Sequence, residues 1–365
     1  MPASGNRCFR TNVASLKIYL SVMGKYIAAH QNPLGPGDAR PTALQIIEDE
    51  GWAGNGLSGK IALIKQYSYQ LSQKIHQSGG TVFLGVRDRK SGREAVEDII
   101  ATSPPDSGTR LQLLEMSLDS LSSVRNAAQT LLSNTHDRIN ILVLNAGVMA
   151  CPKSTAVDGF ETHFATNHLG HFLLFQLLQP ALAASSSPAF NSRVVSVTSS
   201  LHRLGPVDFN DLNYDHLPYH PPRAYARPKT ANIYLANEIE RRFGDKGIHA
   251  LSVHPGSVLT MISRYMEDDP LKTPEGDWEE IRDLKNQAQG AATSVLAPVG
   301  AECEGRGGRY LADCVEKGPA VDISSQTDMG YAPWAFDEEK AGRLWKESCK
   351  MIELEDGAEI PRQMQ

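Results

Sequence analysis

Short apolar runs recur along the chain from residue 57 onward, with helical patterns between most of them. The runs are IALI (61–64), TVFLGV (81–86), INILVL (139–144), RVVSVT (193–198) and HALSVH (249–254). Each has the length and the β-rich composition of a strand. Strands that alternate with helices indicate a parallel sheet with helices on both faces. We therefore expect an α/β fold with a Rossmann-like, doubly wound parallel sheet in a single domain.

Composition narrows the possible partners. The chain has 365 residues, of which 41% are hydrophobic, so it can bury a large core. Its formal net charge of −6 lacks the basic surplus that a nucleic-acid-binding protein uses to neutralise phosphates. The five cysteines are scattered without a C-x-x-C spacing, which predicts a reducing compartment and no structural zinc.

The N-terminal region differs from the rest of the chain. Residues 1–37 contain four basic residues and no acidic one, and Val13 to Ala29 is too short and too often interrupted by lysine to span a bilayer. Such a leader is typical of a disordered extension, an organelle-targeting peptide or a peripheral membrane anchor. We predict a cytoplasmic protein with an extension and linker over 1–56, a domain over 57–352 and a tail over 353–365.

A tyrosine and a lysine stand four residues apart in AYARPKTANIYLANEIERRF, residues 224–243. On a helix, Tyr225 and Lys229 share one face, about one turn apart. A nearby ammonium favours the phenolate and lowers the pKa of a tyrosine, which would make Tyr225 a usable general acid or base. A solvent-exposed Tyr/Lys pair on a helix surface would show the same spacing. The other polar residues near the predicted strand ends therefore decide between the two interpretations.

Further polar and glycine residues follow the predicted strands in a fixed order around this pair. They are Asn145, Ala146 and Gly147 after INILVL, Asn167 in FETHFATNHLGHFLLFQLL, Ser199 and Ser200 after RVVSVT, and Pro255, Gly256 and Thr260 after HALSVH. In parallel sheets, ligands bind beyond the carboxyl ends of the strands.

Together these segments resemble the short-chain dehydrogenase/reductase family, in its fungal, retinol-dehydrogenase-like branch. The resemblance covers roughly Leu57 to Ile352 and includes NAG (145–147), TNHLGHF, VTSS, YxxxK, HPGSVLT and the later GYAPWAFDEEKAGRLW. It implies an NAD(P)-dependent oxidoreductase that interconverts alcohols and carbonyl compounds, and a homodimer or homotetramer.

The resemblance also implies a role for each site residue. Tyr225 would be the general acid in reduction and Lys229 its partner and ribose anchor. Ser199, or its neighbour Ser200, would bind the substrate oxygen, and Asn167 would hold a water of the proton relay. Cofactor contacts would come from Asn145, Ala146 and Gly147 on the adenosine side and from Pro255, Gly256 and Thr260 beside the nicotinamide.

The end of the second strand bears on cofactor choice. The segment GVRDR places Arg87 where an acidic residue would bind a ribose 2′-hydroxyl. Because arginine suits a 2′-phosphate, we predict NADP rather than NAD. A surface pair between Arg87 and Asp88 is the alternative.

Three departures from the family pattern stand out. Lys65 to Ser78 contains no glycine and is about four residues short, so the loop that holds the pyrophosphate is missing. Ser117 replaces an acidic residue expected near the adenine, and Pro228 lies inside the YxxxK motif. Three hypotheses follow. The protein is an enzyme that binds the cofactor phosphates through Lys65 and a helix beginning near Tyr69, or it is a cofactor-poor paralogue that acts as a binding or scaffold protein. The third hypothesis is that a misplaced exon boundary has altered the sequence.

The segments 202–223 and 261–289 carry the aromatic and aliphatic side chains expected around the substrate: Phe209, Tyr214, Leu217, Tyr219, Met261, Ile262, Tyr265, Met266 and Trp278. They favour a lipophilic alcohol or carbonyl substrate. His163, His168 and His171 share a predicted helix without acidic or cysteine ligands at suitable spacing, and we interpret them as core or surface histidines rather than metal ligands.

Overall fold

An eight-stranded sheet forms the centre of the protein in the computed structural model, which describes residues 25–65, 69–105, 108–258, 260–265, 278–325 and 327–356. The strand order is β3-β2-β1-β4-β5-β6-β7-β8, parallel except for the last pair. The strands are β1 (Ile61–Lys65), β2 (Thr81–Val86), β3 (Leu111–Glu115), β4 (Ile141–Leu144), β5 (Ser192–Val197), β6 (Ile248–His254), β7 (Arg309–Ala312) and β8 (Val315–Glu316).

All five strands predicted from apolar runs are present, and the predicted doubly wound fold is confirmed. The sequence did not predict β3, β7 and β8. In β3, the side chains of Gln112 and Glu115 are exposed, so its pattern lacks a continuous apolar run. The other two strands are four and two residues long, which is too short to give a clear pattern.

Helices cover both faces of the sheet. They are α1 (Ile27–Gln31), α2 (Ala43–Asp49), α3 (Tyr69–Gln77), α4 (Arg89–Ala101), α5 (Leu121–Thr135), α6 (Thr162–Phe164), α7 (Gly170–Ser185), α8 (Pro221–Phe243), α9 (Trp278–Asp283), α10 (Gln287–Gly290), α11 (Ala292–Val299) and α12 (Glu338–Met351). A π-helical segment, Ala165–Leu169, joins α6 to α7. Short 3₁₀ turns occupy Gly108–Arg110, Ser200–Leu204, Gly244–Lys246, Met261–Ser263, Ala301–Cys303 and Pro333–Phe336.

Two apolar clusters fill the space between the sheet and its helices. One contains buried residues of α5, α7, α8 and α12, including Leu131, Phe172 and Trp345. The other lies on the opposite face and contains residues of α2, α3 and α11, including Ile46, Leu71 and Val295. This division into two covered faces explains why the central strands are apolar on both sides.

Residues 25–56, here called the N-terminal segment, pack against the domain. Ile46 and Ile47 of α2 are buried, and the Trp52 indole donates a hydrogen bond to the Val299 carbonyl oxygen at 2.8 Å. The Arg40 guanidinium donates to the carbonyl oxygens of Asp283 at 2.9 Å and Leu284 at 2.6 Å. The predicted boundary near residue 56 stays a prediction, but this segment contributes to the core.

Candidate active site

The site is assembled at the carboxyl edge of the sheet, because parallel strands end there together. Asn145 to Gly147 follow β4, Ser199 lies two residues beyond β5, and Pro255 and Gly256 follow β6 directly. Since β4, β5 and β6 are adjacent, these segments are neighbours in space. Helix α8 lies against β5 and β6 and brings Tyr225 and Lys229 to the same edge.

Tyr225 and Ser199 are joined by a side-chain hydrogen bond. The tyrosine is buried, whereas Ser199 remains partly exposed. The Ser199 hydroxyl also accepts a hydrogen bond from the Leu201 amide at 3.2 Å, as the N-cap of the 3₁₀ turn Ser200–Leu204. Two hydroxyl groups thus converge at the carboxyl end of β5.

Lys229 lies beneath the tyrosine ring. Its ammonium is 5.4 Å from the Tyr225 ring centroid and donates to the Val197 carbonyl oxygen at 3.0 Å. Burial lowers the pKa of Lys229 to about 8. The side chain is only 1% exposed, yet Val197 is the one hydrogen-bond acceptor that the described residues give its three N–H donors.

The predicted lowering of the tyrosine pKa does not hold in this arrangement. Burial raises the pKa of Tyr225, although the hydrogen bond with Ser199 opposes the increase. Burial penalises the phenolate, and it is the largest influence on this pKa.

Asn167 lies in the π-helical segment and forms hydrogen bonds with the loop that follows β4. Its side-chain oxygen accepts from the Val148 amide at 2.8 Å, and its amide donates to the Val148 carbonyl at 2.9 Å. Gly147 permits this contact, because an added Cβ would lie 3.1 Å from the Asn167 side-chain oxygen. The Asn167 side chain is therefore bonded to the backbone rather than directed at Lys229 or Tyr225, and its relay role stays a prediction.

Two polar side chains that the sequence did not single out hold α8 in place. The Thr198 hydroxyl donates to the Lys229 carbonyl at 2.6 Å, and the Asn232 amide donates to the Val197 carbonyl at 3.0 Å. Asn232 follows Lys229 by three residues, so helical spacing could have indicated its shared face.

Pro228 lies eight residues into α8, deeper than the first turn. It cannot donate to the carbonyl of Ala224, and such a position costs about 3 kcal/mol in a typical helix. The helix nevertheless continues from Pro221 to Phe243, and residues 224–236 are all buried. Tertiary packing therefore maintains the helix across the proline.

Lys285 covers the turn after β6, which the sequence assigned to the nicotinamide. An added Cβ at Gly256, where φ is +88°, would lie 2.7 Å from the Lys285 ammonium. That ammonium binds the buried Asp313 carboxylate at 2.9 Å. Thr260 lies beyond the turn, and its hydroxyl accepts a hydrogen bond from the Ile262 amide at 3.4 Å.

Lys65 is the last residue of β1, after which the family pattern has a glycine-rich loop. Its buried side chain crosses β2 at Gly85, where an added Cβ would meet the Lys65 Cδ at 2.9 Å, and its ammonium donates to the Met116 carbonyl. Burial and the nearby Arg87 charge lower the pKa of Lys65 to about 8. Residues 66–68 lie outside the described residues, and α3 begins at Tyr69, as the sequence suggested.

Arg87 is exposed and has no ion pair with any residue in the described ranges. Asp88 instead caps α4, accepting from the Lys90 and Ser91 amides. The sequence alternative of an Arg87–Asp88 pair is therefore absent. Ser117 donates to the Asp119 carboxylate, so an acidic group lies two residues beyond the position where the sequence lacked one.

The aromatic residues predicted around the substrate have different environments. Tyr214 is buried with the Arg227 guanidinium 3.8 Å from its ring centroid, and Phe209 packs on the core beside Arg343. Those two side chains belong to the protein interior, contrary to the pocket prediction. Leu217 and Tyr265 are about half exposed, at 49% and 48%. Met266 lies outside the described residues, as do the side chains of Met261 and Trp278.

The three histidines of the 162–185 helical stretch are buried. His168 contacts the Ser348 hydroxyl at 2.9 Å and His171 the Asn167 carbonyl at 3.1 Å. Burial lowers the pKa of both to about 3. The described residues contain no group of three metal-ligating side chains and no helix that is long and apolar enough to cross a membrane.

Comparisons with known proteins agree with this architecture. The family model described as short chain dehydrogenase matches residues 68–270, beginning just beyond β1. The short-chain dehydrogenase/reductase prx1 of Penicillium roqueforti is 42% identical over 337 residues, covering 91% of this chain and 96% of that protein. Human retinol dehydrogenase 14 is 35% identical over 312 residues, covering 82% of this chain and 88% of that protein.

A crystal structure of an uncharacterised protein from Mycobacterium paratuberculosis is also similar, with a TM-score of 0.62 at 26% identity. The match between the two structures covers 87% of this chain and 99% of the mycobacterial protein. Fold, site and relatives agree with the resemblance in the sequence. The chain therefore belongs to the short-chain dehydrogenase/reductase family of NAD(P)-dependent oxidoreductases, in its retinol-dehydrogenase-like branch.

Proposed function

We propose that this protein is an NADP-dependent oxidoreductase that interconverts a lipophilic alcohol and the corresponding ketone or aldehyde. The convergence of the Tyr225 and Ser199 hydroxyls above the buried Lys229 ammonium is the observation that carries this proposal. A tyrosine, a serine and a lysine in contact at the carboxyl edge of a parallel sheet can bind a carbonyl oxygen and deliver a proton to it.

The nicotinamide end of the cofactor fits the residues present. Lys229 is almost fully buried yet has one described acceptor, so it retains N–H donors for ribose hydroxyls. Pro255, Gly256 and Thr260 would border the nicotinamide, and Asn145 to Gly147 would contact the adenosine side. When bound, the nicotinamide supplies the hydride in reduction and accepts it in oxidation.

The phosphate end would rest on charge rather than on the usual glycine loop. Arg87 places an exposed cation just beyond β2, whereas the buried Lys65 ammonium is bonded to the Met116 carbonyl oxygen. An exposed arginine without a carboxylate partner suits a 2′-phosphate, which is why we favour NADP over NAD.

In carbonyl reduction, the Tyr225 O–H donates its proton to the substrate oxygen as negative charge develops there. The Ser199 hydroxyl donates a hydrogen bond to the same oxygen and holds the carbonyl in position. The raised pKa keeps Tyr225 protonated at neutral pH, which is the state a proton donor requires. A Lys229 ammonium beneath the ring would stabilise the phenolate that remains.

The lipophilic substrate class is supported by two half-exposed apolar side chains, Leu217 and Tyr265, in the segments expected around the substrate. A relative bears the name retinol dehydrogenase, and retinol is a lipophilic alcohol. A homodimer or homotetramer is the assembly that the family resemblance favours. Cytoplasmic placement, with the N-terminus as a possible targeting or peripheral membrane segment, likewise stays a proposal.

One observation favours a second candidate, a cofactor-poor paralogue that acts as a binding or scaffold protein. Lys65 to Ser78 has no glycine, and the family match begins only at residue 68. The retained Tyr225, Ser199 and Lys229 contact argues against it, because a scaffold has no chemical need for that arrangement.

A Tyr225→Phe variant tests the proposed reaction. It removes the donor hydroxyl and keeps the ring, so we expect NADPH-dependent reduction of a lipophilic ketone such as decan-2-one to fall by about 100-fold or more. Tyr331→Phe, at a partly exposed tyrosine outside the proposed site, is the matched control and should retain activity. Unchanged turnover in Tyr225→Phe would refute the proposed proton donor, and no turnover by the parent protein would favour the scaffold.

A further inference from the structure

The Lys65 side chain lies across the carboxyl ends of three neighbouring strands. Lys65 is the last residue of β1, and its register partner on β2 is Gly85. Met116, whose carbonyl oxygen accepts from the Lys65 ammonium, follows β3 directly. Since β2 lies between β1 and β3, the side chain must pass over β2 to reach this acceptor. A lysine therefore covers the carboxyl end of β2.

Gly85 leaves the space through which this side chain passes. An added Cβ at Gly85 would lie 2.9 Å from the Lys65 Cδ and 3.0 Å from the Met116 Cε. The first distance is shorter than real Cβ contacts, so the lysine would have to move if position 85 carried a side chain. The lysine stem thus fills the volume that the missing Cβ leaves free.

The Lys65 ammonium is held weakly in this buried position. Lys65 is 4% exposed, and the Met116 carbonyl oxygen is the one acceptor that the described residues give its three N–H donors. Burial and the nearby Arg87 charge lower the pKa of Lys65 to about 8, and the Asp119 carboxylate opposes this decrease. Because water would solvate the ammonium fully, its loss of one hydrogen bond on leaving is offset by hydration.

The ends of β1, β2 and β3 are also where the adenosine half of a dinucleotide binds in doubly wound folds. In those folds the pyrophosphate lies just beyond the first strand, and a residue after the second strand contacts the ribose 2′ position. The corresponding positions here are Lys65 at the end of β1 and Arg87 just beyond β2. The Lys65 side chain and the adenosine of NADP would therefore compete for the same space, here called the adenosine side.

We propose that Lys65 occupies the adenosine side in the free protein and must leave it before NADP binds, so that this residue sets the affinity for the dinucleotide. The inference rests on the proposed NADP-dependent function and deepens it. When only a small fraction of the protein is competent to bind, the apparent dissociation constant rises in inverse proportion to that fraction. Removal of the lysine stem should therefore tighten binding, whereas removal of a lysine that contacts the cofactor phosphates would weaken it.

Isothermal titration of the full-length protein with the two halves of the cofactor tests this direction. Adenosine 2′,5′-bisphosphate probes the adenosine side, and nicotinamide mononucleotide is the control for the other half. We expect Lys65→Ala to bind the bisphosphate about tenfold more tightly than the parent protein, or better, with mononucleotide binding unchanged. Lys350→Ala removes the same charge from a side chain that is 72% exposed and should change neither affinity. Equal or weaker bisphosphate binding by Lys65→Ala would overturn the proposal.

A measurement on the parent protein decides the question if Lys65→Ala does not fold. Reductive methylation with formaldehyde and cyanoborohydride labels accessible amines, and peptide mass spectrometry quantifies the label at each lysine. We expect Lys65 to be labelled more slowly than Lys350 in the free protein, because it is buried. Saturation with adenosine 2′,5′-bisphosphate should accelerate labelling of Lys65 about threefold or more and leave Lys350 unchanged. Slower or unchanged labelling of Lys65 in the complex would contradict its displacement.

A pair of variants tests the placement of the lysine stem over β2 without any cofactor. Gly85→Ala should lower the melting temperature of the parent protein, because its methyl group would collide with the Lys65 Cδ. In the Lys65→Ala background the same change should cost much less, since the flexible end of Met116 is then the closest neighbour. Additive effects of the two changes would mean that the side chains do not meet, and the proposal would fail.

The result for Lys65 is separate from the result for the proposed reaction. Tighter binding of adenosine 2′,5′-bisphosphate by Lys65→Ala, without NADPH-dependent reduction of any lipophilic ketone, would support the role of Lys65 and refute the reaction. NADPH-dependent reduction by the parent protein, with no gain in bisphosphate affinity in Lys65→Ala, would support the reaction and refute the role of Lys65.

Discussion

Two adjacent serines follow β5, and their environments differ. The Ser199 hydroxyl bonds to Tyr225 and accepts the Leu201 amide, whereas Ser200 begins the 3₁₀ turn. We expect Ser199→Ala to reduce turnover about 100-fold, because it removes a donor to the substrate oxygen. Ser200→Ala is the matched control and should stay within twofold. The opposite ranking in steady-state kinetics would assign the role to Ser200.

Arg87 offers a separate test of cofactor preference. NADPH at 100 times its dissociation constant should add about 2.7 kcal/mol to the free energy of unfolding. We expect Arg87→Ala to abolish most of the thermal shift with NADPH and to leave the shift with NADH unchanged. Arg89→Ala, which removes an arginine that faces Glu115 at 3.4 Å, is the control. An undiminished NADPH shift in Arg87→Ala would exclude 2′-phosphate binding by this residue.

Residue types and spacing predicted which groups would meet at the sheet edge, but they did not predict the pKa values of those groups. The YxxxK spacing placed Tyr225 and Lys229 on one helix face correctly, because helical periodicity is local. The pKa of Tyr225 depends on burial by distant segments, which spacing does not reveal. Glu161, His163 and Tyr219 meet across 58 positions of the chain, so no local pattern indicated their contact.

Among the elements, the N-terminal segment illustrates how a buried arginine joins distant parts of the chain. Arg40 pairs with Asp38 and donates to the carbonyls of Gly35, Arg282, Asp283 and Leu284. The Arg40 and Asp38 side chains are 3% and 7% exposed. Breaking a buried ion pair leaves an unpaired charge and orphaned carbonyls.

We therefore expect Arg40→Met to lower the free energy of unfolding by about 3 kcal/mol in urea titrations. Arg89→Met is the matched control, because its ion pair is 64% and 59% exposed and should contribute less than about 1 kcal/mol. Equal stability of Arg40→Met and the parent protein would mean that the contact is energetically neutral.

The elements themselves were predictable where apolar runs or helical periodicity were long. The five buried strands were found, whereas the half-exposed β3 and the short β7 and β8 were not. The segment NPLGPGDARP (32–41) has the proline and glycine content that is typical of a linker. Its backbone is indeed irregular, but Arg40 and Asp38 anchor it to α9 and α10 through contacts that only the tertiary fold creates.

For the whole molecule, buried histidines determine the response to acid. Burial lowers the pKa of five histidines to about 3 or about 4; they are His30, His168, His171, His202 and His254. In the unfolded chain each titrates near pH 6.5, so below that pH the unfolded state binds more protons. The folded state therefore loses stability as the pH falls from about 6.5 toward 4.

We expect the free energy of unfolding to decrease between pH 6.5 and 4.5, with each buried histidine contributing a slope of up to about 1.4 kcal/mol per pH unit. His163 acts in the opposite sense, because its raised pKa adds stability that is lost only as the pH rises toward 9. His168→Gln should reduce the acid slope, and the exposed His216→Gln should not. A stability that is constant over this range would contradict the prediction.

The anchoring of the N-terminal segment has a consequence for biosynthesis. The Gly37 amide bonds to the Gln289 side chain 252 positions later, and Trp52 reaches Val299. At typical elongation rates of about 5–20 residues per second, this part of the chain waits roughly 10–50 s for its partners. The apolar side of α2, with Ile46 and Ile47, lacks its contacts with α11 during that interval. The nascent protein is thus exposed to aggregation on the ribosome, and chaperone binding near residues 43–49 would protect it until α11 emerges.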